Sequence, residues 1–122
     1  MIGYVTLGTN DIKRAAAFYD ALLAEVGAKR FMEYDSFIMW GAKPGMAGLC
    51  VIKPHDKNQA TVGNGVMVAL QPGSKEKVDA IYHKALSLGG TCEGKPGPRG
   101  DGFYAAYFRD LDGNKLNAFH MG

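Results

Sequence analysis

A chain of 122 residues, 47% hydrophobic and 21% charged, has the size and composition of one soluble globular domain with a real core. Its formal net charge of +2, with 14 Lys and Arg scattered along the chain, argues against a nucleic-acid partner. No run approaches the roughly 20 apolar residues that span a bilayer, so no membrane partner is expected either.

The opening segment MIGYVTLG has no basic stretch and no cleavage site. A cytoplasmic protein without a signal peptide is therefore expected, in which the lone Cys50 and Cys92 stay reduced. Ile2–Leu7 is a short β run. Gly8 to Asp11 offers helix-capping chemistry, and apolar residues at 12, 15, 16, 18, 19, 22, 23 and 26 predict a helix over 11–26. Gly27 stands where a C-terminal glycine ends such a helix. Lys29–Tyr34, Ser36–Trp40 and Leu49–Lys53 read as strands, the last stopped by Pro54. Residues 55–64 are polar and read as a linker.

The pattern then restarts. Val66–Leu70 is a strand, a second helix is predicted over 74–88, and Gly89-Gly90 ends it. At an offset of 63 residues Val5 matches Val68, Leu7 matches Leu70, Phe18 matches Ile81 and Gly27 matches Gly90. So many like pairs at one offset point to an internal duplication. Thr91–Gly94, a Gly/Pro/Arg loop over 95–102 and a final hairpin complete the second half.

The expected fold is α+β: two tandem βαβββ modules forming a curved mixed sheet around a cavity, helices outside. It makes a single domain over 1–122, with module one at about 1–54, a linker at 55–64 and module two at about 65–122. A ferredoxin-like sandwich accounts for the helices and leaves strands over.

Asp112-Gly113 marks the hairpin turn. A loop of two or four residues puts Tyr104, Ala106 and Phe108 on one face with Lys115, Asn117 and Phe119, because strand side chains alternate. With Ile2, Tyr4 and Thr6 from the first strand, and Gly65, Met67 and Ala69 from its repeat partner, they form the expected cavity lining.

The order of elements, the segment GTNDIKRAAAFY at 8–19 and the segment FRDLDGNKLNA at 108–118 resemble the vicinal oxygen chelate superfamily of glyoxalases, bleomycin-resistance proteins and extradiol dioxygenases. The resemblance implies a divalent metal held by a His on the first strand, a His on the strand opening the second half, and a Glu four residues after the DG of the last hairpin. This chain has Tyr4, Met67 and Asn117 at those places. The carboxylate that glyoxalases add falls on LCVIK at 49–53, which has no acid. A phenol, a thioether and a neutral amide do not replace imidazole and carboxylate ligands. No metal, no other cofactor and no catalytic residue is therefore assigned. His55, His83 and His120 share no ligand spacing.

The lining left is aromatic and apolar with neutral polar tips, which suits a small molecule held by shape and a few hydrogen bonds. The expected ligand-binding residues are Tyr4, Thr6, Met67, Tyr104, Phe108, Lys115, Asn117 and Phe119. Lys115, with Lys95 and Arg99 at the rim, favours an anion if the guest is charged, so the ligand class is neutral or anionic. The function expected is metal-free small-molecule binding or sequestration. A lyase or dioxygenase with an unconventional site, and an interaction module with a filled cavity, stand as alternatives. The resemblance also implies a homodimer.

Overall fold

The computed structural model describes residues 1–122. Strand β1 (Tyr4–Gly8), helix α1 (Ile12–Ala24), β2 (Lys29–Tyr34), β3 (Phe37–Gly41) and β4 (Gly48–Ile52) make the first module. The second is β5 (Val68–Leu70), α2 (Lys75–Ser87), β6 (Thr91–Pro98), β7 (Phe103–Arg109) and β8 (Lys115–Met121). Each module closes into its own four-stranded sheet, in the orders β1-β4-β3-β2 and β5-β8-β7-β6. β1 runs parallel to β4 and β5 parallel to β8, while the other neighbours are antiparallel. The fold is thus the expected tandem βαβββ arrangement.

Both helices start on side-chain caps. Asp11 accepts a hydrogen bond from the Arg14 amide, and Ser74 accepts one from Lys77, each satisfying a free N–H of the first turn. The two helices keep the offset of 63 residues from cap to last turn. At their C-termini the register slips by one. Gly27 carries the left-handed φ of +74° after α1, and its counterpart after α2 is Gly89 at +99°, not Gly90. Gly90 serves a different need, since a Cβ there would lie 2.7 Å from the Arg109 carbonyl oxygen.

One core cluster runs through both modules. It joins Phe18, Tyr19, Leu22 and Leu23 of α1 and Val78, Ile81, Tyr82 and Ala85 of α2 to the covered sheet faces, Ile38, Trp40, Leu49 and Val51 on one side and Ala106, Phe108, Leu116 and Ala118 on the other. Each helix therefore covers one face of its own sheet and leaves the other face without a helix. The two helices touch each other, but no strand of one sheet comes within 8 Å, Cα to Cα, of a strand of the other. In a single chain the two uncovered faces stay apart, and β1 and β5 are both sheet edges.

The turn between β7 and β8 locks the modules together. Asp110 is buried, and its carboxylate accepts hydrogen bonds from the Tyr19 hydroxyl at 2.6 Å, the amides of Asp112 and Asn114, both at 2.9 Å, and Asn114 Nδ2 at 3.0 Å. Asp112 accepts from the Thr9 hydroxyl at 2.6 Å and the Asn10 amide at 2.9 Å. Asn114 Nδ2 also donates to the Gly8 carbonyl at 3.0 Å. The DLDGN segment is thus a clamp on the start of α1. Burial, reinforced by the Asp110 carboxylate, raises the Tyr19 hydroxyl well above its ordinary pKa.

The same turn overturns the expected face assignment. Asp110 N–H donates to the Asn114 carbonyl, and Gly113, at φ +89°, donates to the Asp110 carbonyl. That is a three-residue loop with a left-handed glycine, a hairpin type in which the strands pair one residue out of step with a two- or four-residue loop. Arg109 therefore pairs with Lys115, Tyr107 with Asn117 and Ala105 with Phe119. Tyr104, Ala106 and Phe108 turn to the helix side instead of the open face. Phe108 is fully buried in the core, and the Tyr104 hydroxyl donates to Asp79 of α2 at 2.6 Å. β6 is also longer than expected, running to Pro98 through two register shifts. No helix is long and apolar enough to cross a membrane.

Candidate functional site on the open sheet faces

On the first sheet, register places Thr6 beside Cys50 and Met39 in one row, and Tyr4 beside Gly48 in the next. Tyr4 is 58% exposed and meets the edge of Phe37 at 6.3 Å between centroids. Cys50 lies beneath this face with no exposed surface, and burial pushes its thiol pKa up to about 11, which makes it an unreactive neutral group.

On the second sheet the equivalent row is Ala69, Asn117 and Tyr107. Asn117 thus occupies, in its module, the place Cys50 has in the first. Asn117 is 2% exposed, and its Oδ1 is the one buried side-chain nitrogen or oxygen with no hydrogen-bond partner. Lys115 and Phe119 share its face, as the sequence suggested. Lys115 Nζ stands 5.5 Å from the centre of the Tyr107 ring, and Phe119 stacks on Phe103 at 5.5 Å. Met67, 39% exposed just before β5, lines a cleft of about 460 Å³ with Val62, Val66, Arg109 and Lys115.

Tyr107 and Arg109 belong to this face as well, which the parity of a two- or four-residue loop does not give. Arg109 forms an ion pair with Glu93 at 2.6 Å, which holds the Glu93 carboxyl below its usual range. Arg99, expected at the rim, folds over the face and sits 5.6 Å from the Tyr107 ring centre.

Tyr4 and Asn117 are not brought together within one chain. Their strands, β1 and β8, have no Cα pair within 8 Å, and Asn117 Oδ1 accepts no hydrogen bond from Tyr4 or any other group. No three His, Cys, Asp or Glu side chains gather anywhere in a group that could hold a metal. His55 and His83 are exposed, and His120 pairs with Tyr104 and so falls on the parity opposite Asn117. A phenol, a thioether and an amide at the three positions, with a thiol of raised pKa at the fourth strand, do not fit a divalent ion.

The model of the Glyoxalase/Bleomycin resistance protein/Dioxygenase superfamily matches residues 1–118. The chain belongs to this superfamily. A glyoxalase/bleomycin resistance protein from Albidiferax ferrireducens T118 is 36% identical, with a TM-score of 0.92 over 100% of this chain and 99% of that one. A lactoylglutathione lyase from Agrobacterium tumefaciens, 20% identical, shares the fold with a TM-score of 0.73 over 98% of this chain and 92% of that one. No curated protein matches. Superfamily members built on this fold carry different chemistries, so the reading of function rests on the residues of the open faces.

Proposed function

We propose that this superfamily member binds a small organic molecule without a metal, on open sheet faces that two copies of the chain bring together. The observation that carries the reading is Asn117. A buried amide oxygen left unpaired costs about 1–3 kcal/mol, and a fold keeps such a cost where a ligand can offset it. The atom lies on the face that holds Met67, Ala69, Tyr107 and Phe119, an apolar and aromatic surface of the kind that takes small molecules.

The dimer supplies what one chain lacks. Tyr4, Phe31, Tyr34 and Met67 are exposed, and the β1 and β5 edges each have unpaired backbone groups. Joining the β1 edge of one copy to the β5 edge of the other makes one continuous curved sheet. Tyr4 of one copy then faces the Asn117 side of the other, across a shared concave space. A phenol hydroxyl and an amide are suited to orient a carbonyl or hydroxyl there.

Thermal denaturation of metal-stripped protein against a panel of small aromatic acids, alcohols and ketones tests this. A ligand at 100 times its Kd stabilises by about 2.7 kcal/mol, a rise of roughly 10 °C for a chain of this size. Light scattering is expected at twice 13.1 kDa. A monomer whose melting temperature no panel member moves would contradict the proposal.

A further inference from the structure

Tyr107 is flanked by two cations that have no carboxylate partner. Lys115 Nζ and the Arg99 guanidinium lie 5.5 and 5.6 Å from its ring centre. Neither takes part in any of the four ion pairs of the molecule, and Glu93, the nearby acid, is paired with Arg109. Arg99 is held in place rather than loosely exposed. It donates to the carbonyls of Lys95 at 2.6 Å, Gly97 at 2.9 Å and Pro98 at 3.4 Å. Gly94 and Gly97 leave room for it, since a Cβ at either would come within 3.3 Å of the guanidinium. The GKPGPRG segment is therefore shaped to lay one arginine across the open face. Carbonyl oxygens fix its orientation, and no carboxylate pairs with it.

Asn117 stands across the strand pair from Tyr107 and two residues along from Lys115, about 7 Å Cα to Cα at strand rise. Its unpartnered Oδ1 accepts and does not donate. Two residues along the strand, Lys115 stands with Arg109 on the wall of the cleft of about 460 Å³. Resting on the ligand-binding reading above, we propose that this face selects a small carboxylate that also carries a hydroxyl or N–H donor. The carboxylate lies against Lys115 and Arg99 beside the Tyr107 ring. The donor reaches Asn117 Oδ1 by displacing the side chains that cover it.

Three probes test this: 4-hydroxybenzoate, benzoate without the donor, and 4-hydroxybenzyl alcohol without the acid. Calorimetric titration is expected to show 4-hydroxybenzoate binding about tenfold or more tightly than either of the others. Lys115→Gln and Arg99→Gln each lower its affinity about tenfold and leave the alcohol unchanged. Asn117→Leu removes the preference for 4-hydroxybenzoate over benzoate. Equal affinity for the acid and the alcohol, or affinity indifferent to Lys115→Gln, overturns the anion assignment and leaves metal-free ligand binding standing. Silence from all three probes overturns it as well. If the wider panel is silent too, the ligand-binding reading falls with it.

Discussion

Asn117→Leu separates a functional from a structural role for this amide more sharply than any other single change. Asn117 Oδ1 is buried and unpaired, so the amide carries a desolvation penalty of about 1–3 kcal/mol that leucine does not. Leucine is branched where asparagine is flat, and a tight fit takes back part of that gain. The neighbour on β5 is Ala69, which leaves space, so the balance favours the variant. The expected result is a stabilisation of about 1–2 kcal/mol, equivalent to roughly 4–8 °C in Tm. Urea unfolding followed by far-ultraviolet circular dichroism checks it, with a raised midpoint and an unchanged slope, since the surface exposed on unfolding is the same. The stabilised variant is at the same time expected to lose its ligand preference, the trade-off of a site kept for function at the expense of stability. A variant destabilised by more than about 1 kcal/mol, with an unchanged slope, would show that the amide has partners and serves the fold.

The clamp at Asp110 makes the opposite prediction. Asp110→Ala leaves the Tyr19 hydroxyl and the Asn114 donors buried and unpaired, and is expected to cost about 3–5 kcal/mol by urea unfolding. Because the folded-state pKa of Tyr19 is raised, its contribution is fully present below the unfolded value near 10 and is lost as pH rises above it. Stability is expected to fall by about 1.4 kcal/mol per pH unit there, and Tyr19→Phe to remove that part of the slope. Changing Tyr4→His, Met67→His and Asn117→Glu together is expected to create zinc or nickel affinity in the dimer, measured by calorimetry. A folded, dimeric triple variant that binds neither metal would show that the three positions do not converge across the two copies.

What the sequence disclosed of the fold came from local chemistry. Helical spacing, the Asp11 and Ser74 caps and the repeat offset place both helices within one or two residues of where they lie. Legibility ended where a single residue decides. The DLDGN turn carries an obvious signal, but its loop length depends on the Asp110–Asn114 hydrogen bonds, which only the folded turn forms. One residue of difference exchanged Tyr104 and Phe108 for Tyr107 on the open face. Arg99 was legible as a loop cation, whereas its seat over Tyr107 depends on Gly94 and Gly97 and on the register shift between them, which only the paired strands reveal. The approach of the two helices, which keeps the open faces apart in one chain, is a long-range packing result that no local pattern records.

Native mass spectrometry of protein purified from cells without added metal tests the central claim most directly, because it reads assembly, metal and small-molecule content in one spectrum. The expected spectrum shows a species at twice 13.1 kDa carrying a dissociable organic mass that Asn117→Leu reduces, and no added mass of a transition metal even after incubation with zinc or nickel. A species holding one metal per chain after that incubation, with no organic mass in any preparation, would contradict it.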